Sequence, residues 1–154
     1  SRIRILSGFI AMKHNEHEIE LFKDHMAELG VDDTTVINPC VRDVEQGKTF
    51  LPQNKNYWEY DTDAFEKGVL TPKIQPNNKC DWIYYSLSIH VNGDVVPCCR
   101  DPKGEQVMGN LLAQNLDEVW NSDRFIAFRK QLHKDQGQIN ICKLCSSYPA
   151  SKVH

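Results

Sequence analysis

The apolar positions of this chain change period along its length, and each change marks a different kind of structure. At the start, Ile3, Ile5, Phe9 and Ile10 form an apolar stretch with β-branched members that breaks at the polar Lys13, His14 and Asn15, which predicts a strand and a turn. From Ile19 the spacing lengthens. Ile19, Phe22, Met26 and Leu29 recur at three- and four-residue steps and share one helical face. Asn15 with Glu18 reads as a capping box ahead of this helix, and Gly30 supplies a left-handed stop. A second strand is predicted at 34–38. Strand, crossover helix and strand in this length predict a βαβ unit over 1–38 with parallel strands. Such a unit cannot cover its own sheet. It needs neighbouring strands that these residues do not supply, and in isolation its unpaired edge predicts a dimer through the exposed surface.

Residues 39–79 lose any sustained period. They hold four prolines and many Asn, Lys and Asp residues, which predicts a linker or extended crossing segment rather than a packed layer. The aromatic group Tyr57, Trp58 and Tyr60 lies here with Cys40 and Asp43, and its expected role is packing rather than substrate contact.

After Cys80 the pattern alternates with period two. Ile83, Tyr85, Leu87, Ile89 and Val91 fall on one side of a strand, Tyr84, Ser86, Ser88 and His90 on the other. Asn92-Gly93 then reads as a two-residue type I′ hairpin turn, which sets Val95 opposite His90 and Cys98 opposite Leu87. Met108 to Leu111 reads as a turn and Leu116 to Trp120 as a short helix. Ser122 caps a longer helix with Phe125, Phe128 and Leu132 on one face, ended by Gly137. The chain then delivers Cys142 and Cys145 from an exposed loop.

Composition narrows the function classes. There is no apolar run of membrane-spanning length and no cationic start leading into an apolar segment with a cleavage site, so neither membrane insertion nor export is expected and the cytoplasm is the default setting. A formal charge of −3 gives no general attraction for phosphate backbones, and nucleic acid is not an expected partner. The hydrophobic share of 40% is modest and the sequence opens at Ser1, as a piece of a longer protein would. Gly-rich phosphate loops and a Ser-centred nucleophile elbow are both missing from the sequence.

Six cysteines in 154 residues are the candidate chemistry. In a reducing compartment clustered cysteines bind metal or do redox chemistry more often than they form disulfides. Cys142 and Cys145 form a C-x-x-C clamp able to curl around one soft cation, and a closed site needs two more thiolates, for which Cys80 and Cys98 are the donors. Zinc and a cubane iron-sulfur cluster both take four thiolates. One C-x-x-C with a second pair separated by seventeen residues leans toward a cluster but leaves zinc open. Cys98 and Cys99 are strand neighbours facing opposite ways, so only one of them is expected to reach the site. His14, His17, His25, His90 and His133 read as surface or isolated residues.

The motifs in order, Cys80, Asn92-Gly93-Asp94-Val95-Val96-Pro97-Cys98-Cys99, Gly109-Asn110-Leu111, Leu116-Asp117-Glu118-Val119-Trp120-Asn121-Ser122 and Cys142-Lys143-Leu144-Cys145, resemble the SPASM domain, the auxiliary-cluster extension of many radical SAM enzymes. Phe9 to Ile19 and the helix to Asp32 look like the fifth strand and helix of the radical SAM partial barrel. The resemblance implies an α/β remnant of that barrel at 1–38, a connecting segment at 39–79 and a small α+β SPASM-like domain with a β-hairpin and helices at 80–154. It further implies a single 4Fe-4S cluster held by Cys80, Cys98, Cys142 and Cys145, with Cys99 the alternative to Cys98, because no cysteine follows Cys145. A parent of this kind uses S-adenosylmethionine, bound in an N-terminal radical SAM core, to abstract a hydrogen from a peptide or small-molecule substrate. No C-x-x-x-C-x-x-C occurs in these residues, so they are not expected to cleave S-adenosylmethionine by themselves. The competing expectation is a non-enzymatic zinc-stabilised binding module that uses the same four cysteines.

Overall fold

A computed structural model describes residues 3–146, so residues 1–2 and 147–154 of the expected first and last segments lie outside the described residues. The chain divides into two compact units between Ile74 and Gln75. No helix among the described residues is long and apolar enough to cross a membrane.

In the first unit, β1 (Leu6–Ile10) and β2 (Asp33–Ile37) pair in parallel from Leu6 opposite Asp33 to Ile10 opposite Ile37. They are joined by α1 (Ile19–Glu28), and Phe9 of β1 meets Phe22 of α1 with ring centroids 4.9 Å apart. The opposite face of this two-stranded sheet leaves Leu6, Ile10 and Ile37 exposed. Gly30, at φ +71°, ends the helix: its N–H reaches the carbonyl of Ala27 and that of Val31 reaches Met26, the paired bonds of a left-handed C-terminal cap.

The start of α1 differs from the capping box expected at Asn15. A 3₁₀ turn at Glu16–Glu18 precedes the helix, and Asn15 turns back on the strand end, accepting from the Met12 N–H at 2.7 Å and donating to the Ile10 carbonyl at 3.1 Å. Glu16 is drawn elsewhere, its carboxylate accepting from the N–H groups of Gln53 and Asn54. Leu29, expected on the packed face, is exposed because it lies past the last helical turn.

The stretch from residue 39, expected as an unpacked linker, is largely folded into this unit. It carries α2 (Val44–Phe50) and α3 (Thr62–Glu66), capped by Asp43 and Asp61, whose carboxylates accept from Gln46 and Ala64. Helices this short complete too few turns to print a period on the sequence. Burial of Trp58 and Tyr60 anchors the segment: the indole N–H donates to the Pro52 carbonyl at 2.7 Å, and the Tyr60 hydroxyl both donates to and accepts from the Val41 backbone. The Trp58 and Phe65 rings meet edge-on at 5.0 Å. Gly47 permits that packing, since a Cβ there would lie 2.4 Å from the Phe65 ring.

The second unit is a small α+β fold. Its three-stranded antiparallel sheet has the order β3 (Ser88–Ile89), β4 (Asp94–Val96), β5 (Gly109–Asn110), followed by α4 (Leu116–Trp120) and α5 (Asp123–Lys134). Asn115 and Glu118 form a reciprocal capping box on α4, and Ser122 accepts from the Phe125 N–H at the start of α5. Phe125, Phe128 and Leu132 then pack with Ile83, Val95, Met108, Val119, Ile139 and Ile141 into the core.

Four expectations are corrected here. The long alternating strand over 83–91 is shortened to Ser88–Ile89, because Trp82–Tyr84 form a 3₁₀ turn that buries Ile83 and leaves Tyr84 and Tyr85 exposed. The hairpin has a three-residue loop, with Ile89 rather than His90 opposite Val95. The Gly93 N–H closes a turn on the His90 carbonyl, and Gly93 itself takes φ +84°. Lastly, α5 stops at Lys134 and not at Gly137. Asp135 leaves helical geometry and its carboxylate accepts from the Gly137 N–H, starting a 3₁₀ turn at Gln136–Gln138. The Gly109-Asn110 pair, expected as a turn, is the strand β5.

Candidate metal centre

Three segments of the second unit bring their cysteines to one place. Cys80 precedes the 3₁₀ turn at Trp82–Tyr84, Cys98 follows β4, and Cys142 and Cys145 lie in a tight turn after the last 3₁₀ segment. All four side chains line a single small cavity, with Ile83, Phe128, Leu132 and Ile141 among its apolar walls. Cys99 and Cys40 are exposed and do not line it. Of the adjacent pair, Cys98 is therefore the one that lines the cavity, although both lie in the turn after β4 and not in the strand expected for them.

Cys142 and Cys145 are buried, at 8% and 7% exposure, which corrects the exposed loop expected for them. Their turn is closed by backbone bonds from Cys142 and Lys143 to the Ile139 carbonyl and from Cys145 to Cys142. Ile139 and Ile141 anchor it by joining the core that also holds Cys142.

Electrostatics report the same convergence. Burial pushes the Cys98 thiol up to about 12, the Arg100 backbone N–H opposes this, and the charges of Cys99, Cys145 and Cys80 add to it. Burial likewise raises Cys142, reinforced by Cys98, Cys145 and Cys80 and opposed by the positive charge of Arg100. A thiolate at Cys98 or Cys142 is thus costly unless a cation sits beside it.

Four cysteines and no carboxylate or imidazole among the lining residues make a soft, all-sulfur donor set, which fits iron-sulfur clusters and zinc. Donor type alone does not separate the two, since both take four thiolates.

Three further residues shape the site without having stood out in the sequence. Gln136, 1% exposed, donates through its side-chain amide to the carbonyls of Cys142 and Cys145. Asp101, fully buried, accepts from the N–H groups of Glu105 and Gln106 and so folds the loop that leaves Cys98; its own N–H reaches the Cys98 carbonyl. The Asp101-Pro102-Lys103-Gly104 sequence is a turn signal that points to this loop. Arg100 lines the cavity as a cation. Nothing in local spacing marks Gln136 or Arg100. His90 and His133 serve structure: His90 Nε2 lies 3.0 Å from the Asp101 carbonyl, and His133 bridges the Tyr84 hydroxyl and the Asn78 carbonyl.

Comparison with known proteins gives the following. Residues 80–146 match the model of the SPASM family, described as an iron-sulfur cluster-binding domain. Over 60 residues the chain is 37% identical to the S-adenosyl-L-methionine-dependent 2-deoxy-scyllo-inosamine dehydrogenase of Niallia circulans, which is 38% of this chain and 24% of that protein. The crystal structure of selenomethionyl BtrN in an open conformation aligns with 94% of this chain and 57% of its own, at 22% identity and a TM-score of 0.43. BtrN in complex with AdoMet and 2-DOIA aligns with 92% and 59%, at 21% identity and 0.43. The chain spans less than two thirds of each of these proteins.

Proposed function

We propose that residues 80–146, which match the SPASM family model, form the auxiliary-cluster domain of the C-terminal portion of a radical SAM enzyme, and that Cys80, Cys98, Cys142 and Cys145 hold one 4Fe-4S cluster in it. The observation that carries this reading is the convergence of these four thiols on one cavity with apolar walls, from segments up to 65 residues apart in sequence. The match of residues 80–146 to a family described as an iron-sulfur cluster-binding domain supports a cluster over the zinc-stabilised module, and the soft donor set suits it. When bound, the cluster supplies a one-electron redox centre. The chain's own residues fix its ligands: Gln136 holds the clamp, the Asp101 loop holds Cys98, and the core under Ile83 excludes water.

The parent's activity follows as part of the same proposal. Its S-adenosylmethionine-cleaving C-x-x-x-C-x-x-C is absent from these 154 residues and belongs to an N-terminal radical SAM core. The relative that dehydrogenates an aminocyclitol supports a small polar metabolite rather than a peptide as substrate. The parallel β1 and β2 with α1 between them fit the end of the partial barrel, with Leu6, Ile10 and Ile37 exposed on the sheet face away from α1. Alone, the chain is expected to self-associate through that face. Light scattering checks this, and a monomer at all concentrations contradicts it.

Anaerobic reconstitution tests the cluster. The expected product carries about four iron and four sulfide per chain with broad charge-transfer absorption. Stoichiometric zinc without sulfide, in protein purified free of oxygen, overturns the proposal.

A further inference from the structure

An uncharged amide buried beside four thiols needs a reason, because an amide removed from water costs free energy unless its hydrogen bonds are replaced. At Gln136 they are replaced, and by particular partners. The two N–H groups of its side chain go to the carbonyl of Cys142 at 3.1 Å and that of Cys145 at 2.8 Å. Its backbone N–H goes to the side-chain oxygen of Asn78 at 2.8 Å, two residues before Cys80. Asn78 is in turn held by His133, whose Nδ1 lies 2.9 Å from its carbonyl; a carbonyl only accepts, so Nδ1 carries the proton. Asn78 has φ +60°, in the left-handed region that asparagine adopts more readily than most side chains.

One side chain and one peptide N–H thus tie together the two ends of the ligand set, the segment entering Cys80 and the clamp of Cys142 and Cys145. We infer that Gln136 is a positioning residue for the auxiliary cluster, fixing the clamp against the Cys80 segment and turning the positive end of its amide dipole toward the backbone of the Cys142–Cys145 turn. The inference rests on the ligand assignment proposed above. Hydrogen bonds around ligating cysteines tune cluster potentials, and donors that offset negative charge favour the reduced, more negative state. Loss of the amide donors therefore has two consequences, looser ligands and a lower potential.

The test compares the native chain with Gln136→Met, which keeps side-chain length and the backbone N–H but has no amide. Both are reconstituted anaerobically with iron and sulfide. The variant is expected to fold with native circular dichroism, to lose its cluster to a chelator about tenfold faster, and to titrate at a more negative potential when followed by electron paramagnetic resonance. A native extraction rate with a native potential overturns the inference. Faster extraction with an unmoved potential also overturns it, since that result assigns Gln136 to fold stability alone. If Gln136→Met does not fold, Asn78→Gly decides on the same two readouts, because glycine accepts the positive φ and removes only the acceptor for the Gln136 N–H. Failure of the native chain to take up iron and sulfide is a separate result, and it overturns the ligand assignment itself.

Discussion

Val95 stands opposite Ile89 across the hairpin, one residue out of the register that a two-residue Asn92-Gly93 turn would impose. The extra loop residue is absorbed by Gly93 in the left-handed region, and the shift decides where Cys98 emerges from β4. Gly93 has little room besides: a Cβ would lie 2.8 Å from Leu112 Cγ and 2.9 Å from Asn110 Oδ1. Gly93→Ala is therefore expected to destabilise the second unit by about 1–3 kcal/mol, read by urea denaturation. A loss under about 0.5 kcal/mol would contradict this account of the turn.

Asp101 closes the loop after Cys98 with two backbone N–H bonds to a fully buried carboxylate. Asp101→Ala leaves both donors buried without that acceptor and is expected to cost about 2–4 kcal/mol. Thermal unfolding of the metal-free chain measures it directly, and an unchanged melting temperature would show that the loop is held by other contacts.

How much of this was legible in the sequence depended on the range of the forces involved. The α5 face of Phe125, Phe128 and Leu132 and the Ser122 cap were readable because both are set within a few residues. The hairpin's existence was readable from Asn92-Gly93, but its register was not, because two- and three-residue loops both place glycine at positive φ. That Trp58 and Tyr60 pack was readable from residue type, but α2 and α3 beside them were not, because helices this short show no period. Among the site residues, thiols announce themselves by chemistry. Gln136 and Arg100 acquire their roles only once the fold brings Gln136 to Asn78, 58 positions away, and Arg100 to the cavity.

The Asp94 carboxylate is held below its ordinary value by hydrogen bonds from Asn110 and Asn92. A depressed folded value contributes stability above the unfolded value of 3.8 and loses it as pH falls through the folded one. The hairpin is thus expected to weaken on acidification below that point. Asp94→Asn should flatten this part of the stability profile between neutral and acid pH, because asparagine does not titrate there. An identical acid limb in variant and native chain would exclude Asp94 as a contributor.

Arg100 brings positive charge to the cavity and opposes the burial of Cys142 charge. A nearby cation favours the reduced cluster, so Arg100→Gln is expected to shift the reduction potential to more negative values while leaving iron content unchanged. A positive shift in a redox titration would reverse the sign of this argument.

The choice between two adjacent sulfurs tests the central claim most directly. Cys98 lines the cavity with Cys80, Cys142 and Cys145, whereas Cys99 faces solvent. Iron and sulfide should be counted after anaerobic reconstitution of Cys98→Ser and Cys99→Ser side by side. The account predicts that Cys98→Ser fails to retain a four-iron cluster and that Cys99→Ser holds one like the native chain; the reverse pattern, or full retention in both, would contradict it.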